Sequence, residues 1–374
     1  MKEVNMWTIS ENKSWDYLEQ QYDWVKRMRD TPQDARHHAE GNVAIHTQMV
    51  TDALISLPAY QALDAQTQEI MWATALLHDV EKAGTTEILP DGSVVSPGHA
   101  RKGEMTTRQI LYKEIPTPFA IREQIARQVR FHGLPLWVFE KSDPVKALII
   151  AALQVDMRLL ALFAKADVLG RICPDQADLL YKIECFEELC KEQQCWGQAP
   201  YFANAHARMN YLQKAGTDRS YVPFEQPKTK VVIMSGLPGA GKDTYVQKYY
   251  KNWPVVSLDA IRVSMKIAPT DKSGNGRVIQ EAKEQARVHL RNQQGFVWNA
   301  TNITHSMREQ LISLCIQYAA EIIVIYVEVP YKALFKQNSA REAIVPAGVM
   351  QRLVHKLEVP DITEAHEVVY AVSS

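Results

Sequence analysis

The chain has 374 residues, is 46% hydrophobic and 23% charged, and carries a formal net charge of −1. That length exceeds one ordinary core and points to two domains of soluble, globular composition. The near-neutral charge excludes a strongly basic nucleic-acid binder, so any contact with nucleic acid must come from local patches.

The five cysteines, Cys173, Cys185, Cys190, Cys195 and Cys315, are odd in number and form no C-x-x-C pair. Reduced thiols in a cytosol fit them better than a disulfide framework or a zinc cage. The N-terminal MKEVNMWTISENKSWDYLEQ has no apolar signal core, and no apolar run is long enough to span a membrane. A cytoplasmic protein without membrane attachment is expected.

Residues 1–215 are expected to form an all-α domain, because hydrophobic spacing is helical from Trp15 to about Ala215. Trp15–Arg29 reads as an amphipathic helix packed through Trp15, Leu18, Tyr22 and Val25. Asn42–Leu57 carries Val43, Val50, Leu54 and Leu57 on the same stripe as His46. The next helix has Ile70, Ala73 and Leu77 on one face and ends at His78. A long helix is predicted from Val145 to about Arg171. Residues 216–229, polar and with two prolines, read as a linker. Residues 230–374 alternate β-branched runs with helical stretches, which predicts an α/β domain with a parallel sheet. Strands are expected at Val231–Ser235, Val255–Ser257, Phe296–Trp298 and Ile322–Val329, with ligands at their carboxyl ends.

In the first domain, His46 and the doublet His78-Asp79 put polar groups where a core is usually apolar. A buried, unpaired imidazole or carboxylate costs several kcal/mol, and a divalent metal would compensate it. Asp167 is a candidate fourth ligand. Asp156, eleven residues earlier and about 16 Å along a continuous helix, is a rival that could not share the same ion. His99 and His132 are candidates for a second ion. The ordered set His46, His78-Asp79, Asp167 resembles the HD phosphohydrolase superfamily, an all-helical fold. In HDVEK, Lys82 takes that superfamily's common lysine position. GHARKGE, FHGLPLWVF and ADVLGR resemble the HD domain appended to some bacterial tRNA nucleotidyltransferases, which favours Asp167 over Asp156 and adds His99 and His132. The resemblance implies phosphoester hydrolysis with a divalent transition metal such as Mn²⁺, Ni²⁺ or Co²⁺, one or two ions, which supplies hydroxide at neutral pH. Lys82 is a candidate for binding the phosphate, as are Arg101, Lys102 and Arg171. His37 and His38 are candidate substrate contacts.

In the second domain, Gly236-Leu-Pro238-Gly239-Ala240-Gly241-Lys242 follows a predicted strand and precedes a helix. Such glycines turn backbone N–H groups toward phosphate oxygens, and the lysine reaches the β and γ phosphates. One position departs from the motif: Asp243 stands where Ser or Thr usually ligates Mg²⁺, with Thr244 next. Asp243 is a candidate Mg²⁺ holder, directly or through water. In VVSLDAIR, Asp259 is placed to take a proton from an attacking hydroxyl and Arg262 to grip an acceptor phosphate. The competing reading of Asp259 is a helix N-cap.

This segment resembles the phage and bacterial polynucleotide kinases, in which the Asp of D-x-x-R is the general base and the Arg binds the substrate phosphate. WNATN continues the likeness, with Asn299 where that family often has Asp. QNSAREAIVPAGVMQRL resembles its lid and puts Arg341 on the transferring phosphoryl group, with Arg352 as a candidate assistant. The basic stretch Arg277–Arg291 reads either as an RNA path or as an exposed helix face.

Together the halves resemble the bacterial HD-Pnk proteins. That implies 2′,3′-cyclic phosphodiesterase and 2′/3′-phosphatase activity in the first domain and a 5′-OH kinase using ATP or another NTP with Mg²⁺ in the second. RNA or DNA ends would be substrates, and an RNA ligase the functional partner. Two other readings stand beside it. One is an HD nucleotidase fused to a nucleoside or metabolite kinase. The other is a regulatory binder that has lost kinase chemistry, which Asp243 and Asn299 favour.

Overall fold

The computed structural model describes residues 6–268, 270–341 and 343–373. Met1–Asn5 of the N-terminal segment, and Glu342 of the expected lid, lie outside them. The chain divides into two units, Met1–Tyr201 and Phe202–Ser374.

Among the described residues the first unit is helical apart from an isolated bridge between Pro32 and Asn42 and a short antiparallel hairpin, β1 (Glu87–Ile88) with β2 (Val94–Val95), which helical spacing did not announce. The predicted Trp15–Arg29 helix is two helices, Trp15–Gln21 and Asp23–Arg29, because Tyr22 between them is extended at φ −128 and ψ 117. The apolar stripe survives the break. Leu18 and Val25 are buried in one core with Ile70, Ala73 and Leu77, and Trp15 and Tyr22 pack against it. Val43–Ser56 starts at Asn42, whose side chain accepts from the Ile45 N–H at 3.0 Å. Ala65–Leu77 is capped by Asp64 and ends at His78.

The helix predicted from Val145 to Arg171 is also two, Pro144–Ala152 and Met157–Leu169, bent by 108°. Asp156 caps the second, accepting from Arg158 N–H at 2.9 Å and pairing with the Arg158 guanidinium at 2.8 Å. The rival carboxylate is therefore a helix cap, and the assumption of one continuous helix fails. Apolar spacing runs straight across the bend, so only the cap chemistry of Asp156 marks it. Among the described residues no single helix is long and apolar enough to cross a membrane.

The second unit begins at Phe202, earlier than the expected boundary after residue 215. Helix Ala205–Gln213 belongs to it because the Arg208 guanidinium donates to the carbonyls of Ala365 (3.2 Å) and His366 (2.6 Å). The sheet has five parallel strands: β3 (Thr229–Ser235), β4 (Val255–Ser257), β5 (Phe296–Asn299), β6 (Ala320–Glu328) and β7 (Glu367–Val372). Their order is β4-β5-β3-β6-β7. β3 lies at the centre, and all its residues but Lys230 are buried, as a parallel strand covered on both faces requires. Four strands fall where spacing predicts them. β7 was missed, since this edge strand is only half-buried and lacks a continuous apolar run.

His366 closes the start of β7 onto β6. Its Nδ1 accepts from the Ile322 N–H at 3.0 Å, so its proton sits on Nε2, 3.3 Å from His206 Nδ1. Burial, then the neighbouring His206 and Arg208, pulls its pKa from 6.5 to about 4. Between those values the unfolded chain binds the extra proton, so stability is full above about pH 6.5 and is lost as pH falls toward 4. Acidification from pH 7 to 5 should lower the unit's stability by roughly 2 kcal/mol. Calorimetry at the two pH values measures this, and His366→Asn should flatten the dependence.

Candidate functional site

In the first unit, three helices converge. Val43–Ser56 carries His46 inward, Ala65–Leu77 delivers His78 and Asp79 at its end, and Met157–Leu169 presents Asp167. All four side chains are buried. His46 Nε2 lies 3.1 Å from Asp167 Oδ1 and 3.7 Å from Asp79 Oδ2, and His78 Nε2 lies 3.1 Å from Asp79 Oδ2. His99 Nε2 is 3.5 Å from Asp79 Oδ1 and 3.3 Å from His132 Nε2. Asp79 thus belongs to two ligand groups, His46-His78-Asp79 and Asp79-His99-His132.

One device orients three of the rings. His78, His99 and His132 each turn Nδ1 to the carbonyl three residues back, Ala75 at 2.7 Å, Ser96 at 2.8 Å and Val129 at 2.8 Å. Nε2 is left pointing into the cluster, the arrangement that metal-binding histidines use. His46 instead sets Nδ1 between the Gly170 carbonyl (3.2 Å) and Glu40 Oε1 (3.0 Å).

Several of the candidate ligand atoms lack hydrogen-bond partners, although Lys82 forms an ion pair with Asp79. His46 Nε2, His78 Nε2 and both Asp79 oxygens are buried without one. Orphaned polar atoms in that number cost several kcal/mol unless a cation takes them, so these residues fit a divalent metal. The carboxylates are held ionised. Burial pushes Asp79 up, but His78 and then Lys82 hold its pKa well below the usual range. Burial opposes Asp167 likewise, and Arg171 and His46 overcome it. Burial, reinforced by His99 and His78, lowers His132 to about 3, so its ring is neutral.

Lys82 Nζ stands 2.7 Å from Asp79 Oδ2 and 2.7 Å from Gln33 Oε1, and Arg171 pairs with Asp167. Both cations therefore neutralise the carboxylates of the cluster. His37, Arg101 and Lys102 are exposed. His38 bonds to Glu40 at 2.8 Å, which places it behind His46. Glu40, whose side chain is 1% exposed, escaped sequence reasoning, since it lies ahead of the helix and belongs to no periodic pattern.

In the second unit, β3 runs into the loop 236–242. Gly236 has φ +150, and a Cβ there would lie 2.4 Å from the Val327 carbonyl oxygen, so only glycine fits. Lys242 Nζ donates to the carbonyls of Gly236 (2.8 Å) and Leu237 (3.0 Å). Burial lowers its pKa to about 8, with Asp243 acting the other way. A cavity of about 680 Å³ opens here, lined by Pro238, Gly239, Gly241, Lys242, Asp243, Thr244, Asp259, Arg262, Asn299 and Arg341 among others. Gly236 and the buried Ala240 shape the loop behind it. The Asp243 carboxylate and Thr244 hydroxyl are oxygen donors of the kind that suits Mg²⁺.

Ser257, not Asp259, caps the following helix, accepting from the Ala260 N–H at 3.3 Å. The carboxylate of Asp259 is spared that duty and pairs with Arg262, whose Nε donates to Asn275 Oδ1 at 3.0 Å. Arg341 reaches the cavity just after helix Tyr331–Ser339, while Arg352 is exposed on Ala347–His355 and is not among the lining residues. Helix Lys272–Arg291 buries Val278, Ala282, Ala286 and Leu290, and its outer face mixes Glu281 and Glu284 with Lys283 and Arg287. That mixture fits a solvated face better than an RNA path.

The loop is braced by the WNATN segment and, behind it, by two residues the sequence did not single out, Arg308 and Glu364. Gly236 N–H donates to the Thr301 carbonyl at 2.9 Å. Asn302, at φ +43, donates from Nδ2 to the Met234 carbonyl at 2.7 Å. Behind it the buried Arg308 makes a fork of 2.7 and 2.8 Å to Glu364 and holds the Asn302 carbonyl at 3.0 Å. An arginine inside an otherwise apolar helix face was the available signal.

Residues 231–360 match the family model described as the AAA domain. Among curated proteins, L-seryl-tRNA(Sec) kinase of Methanococcus maripaludis is 24% identical over 142 residues, covering 35% of this chain and 53% of that protein. The chain thus spans about half the length of that relative. Among solved structures, a chain of the Pnkp1/Rnl/Hen1 complex is 19% identical with a TM-score of 0.29, over 34% of this chain and 44% of that one. A gluconokinase from Sinorhizobium meliloti 1021 is 16% identical with a TM-score of 0.28, over 40% of this chain and 84% of that one. The parallel sheet, the glycine loop that ends its central strand and the match to the AAA domain model together make the second unit an α/β domain with a P-loop.

Proposed function

We propose that this chain heals broken RNA ends, with a phosphoesterase in the first unit and an NTP-dependent 5′-hydroxyl kinase in the second. The observation that carries the reading is that Lys242, Asp259, Arg262 and Arg341 line one cavity at the carboxyl end of a parallel sheet. The hydrolase half leans on the orphaned atoms of His46, His78 and Asp79.

In the kinase, Asp259 accepts the proton of the 5′-hydroxyl as its oxygen attacks the γ-phosphorus and the bond to the bridging oxygen breaks. Arg262 pairs with that carboxylate and grips the acceptor's phosphate. Lys242 and the loop amides take the β and γ oxygens, and Arg341 carries charge on the transferring group. Mg²⁺, when bound near Asp243 and Thr244, neutralises phosphate charge.

In the phosphoesterase, His46, His78, Asp79 and Asp167 would hold one divalent metal, and His99 and His132 share Asp79 toward a second. Such a metal lowers the pKa of water and neutralises phosphoryl oxygens. Lys82 and Arg171 keep the two carboxylates ionised, and Glu40 fixes the ring of His46.

The two activities suit one lesion. Cleavage through a 2′-OH leaves a 2′,3′-cyclic phosphate and a 5′-OH, and sealing by an RNA ligase needs a 3′-OH and a 5′-phosphate. The curated relative's name, a seryl-tRNA kinase, supports a hydroxyl acceptor carried on RNA. An oligoribonucleotide with both damaged ends, incubated with NTP and Mn²⁺ or Mg²⁺, should emerge with 3′-OH and 5′-phosphate. Turnover of mononucleotides and small metabolites, with the oligonucleotide untouched, would replace this reading by a nucleotidase fused to a small-molecule kinase.

A further inference from the structure

Two residues of the phosphate cavity depart from what their positions predict, and they touch each other. Asp243 stands at the helix start where a hydroxyl is usual. Asn299 stands at the end of β5 where a carboxylate is usual. Asn299 Nδ2 donates to Asp243 Oδ1 at 2.6 Å, and both line the cavity beside Lys242 and Arg341. The pair keeps one carboxylate and one neutral polar group, in exchanged places. A carboxylate at residue 299 as well would set two like charges at that separation, so each departure accounts for the other.

We infer that Asp243 and Asn299 form a transposed cation-binding pair that makes nucleotide binding by this unit depend on a divalent cation. This rests on the NTP-dependent kinase reading. Asp243 is the second residue of helix Lys242–Tyr249, where the helix dipole favours its charge, but it faces the space that the triphosphate enters. Without a cation it repels the phosphates, a penalty on the order of tenfold in affinity for like charges a few ångströms apart. With one, the same carboxylate becomes an attraction. Asn299 fixes the rotamer of Asp243 without adding charge. By linkage, the factor by which cation tightens nucleotide equals the factor by which nucleotide tightens cation.

The test is equilibrium titration of the full chain with ATP and a non-hydrolysable analogue, in EDTA and in Mg²⁺, with thermal midpoints recorded for every variant. Asp243→Asn should bind nucleotide about tenfold tighter in EDTA and lose at least as much of the Mg²⁺ enhancement. Asn299→Asp should bind about tenfold more weakly in EDTA than the unaltered chain. The exchange of both, Asp243→Ser with Asn299→Asp, should bring the Mg²⁺ enhancement back to near the unaltered value. An enhancement unchanged within about twofold in Asp243→Asn, or an exchanged pair with no greater enhancement than Asp243→Asn alone, overturns the inference and leaves the kinase reading standing. Absence of nucleotide binding by the unaltered chain in Mg²⁺ overturns both.

Discussion

Replacing Lys242 by alanine is expected to lower transfer of phosphate to a 5′-OH oligonucleotide by a factor on the order of 10³ while leaving 3′-end hydrolysis intact. Lys242 is the only lysine among the described residues that line the cavity, and its Nζ lies against the loop that the triphosphate must enter. Of the other two cations that line the cavity, Arg262 is engaged with Asp259 and Asn275, and Arg341 is the one proposed for the transferring group. Single-turnover transfer from labelled ATP measures the loss. Thermal unfolding of the same variant separates it from damage to the loop, whose carbonyls the lysine also holds. Parallel loss of 3′-end hydrolysis would break the assignment of the two activities to separate units.

Asp79→Ala should show the reverse pattern. Asp79 is shared by both histidine groups, so its removal takes a ligand from each. Bound transition metal should drop toward background by elemental analysis, and 3′-end hydrolysis should fall at least about 100-fold. Kinase activity should be retained. The substitution also strands Lys82, which is mostly buried and sits 2.7 Å from the lost carboxylate, so some stability is lost as well. Asp79→Asn keeps the shape and provides the check. If metal stays bound at full stoichiometry in both variants, Asp79 is not a ligand.

What could be read in the sequence was local. The strand, glycine loop and lysine occupy consecutive positions, and their geometry follows from backbone sterics and hydrogen bonding within a few residues. The His78-Asp79 doublet at the end of an apolar helix is local in the same sense. Four of the five sheet strands carry their own apolar runs, whereas β7 on the edge does not. The break at Asp156 was legible in principle, because an acidic residue two before an Arg is cap chemistry, but continuous apolar spacing outweighed it.

By itself, then, the sequence determined the two-part organisation, the phosphate loop and the candidate metal ligands, because each is written in short-range pattern and residue type. Only the tertiary structure decided that Asp167 faces the histidines, that the Gly170 carbonyl stands behind His46, and that Arg308 with Glu364 stands behind the phosphate loop. Those partners are far apart along the chain, 124 residues for His46 and Gly170 and 56 for Arg308 and Glu364. Long-range pairs of this kind are set by how helices and strands pack, and no periodicity in a single segment carries that information.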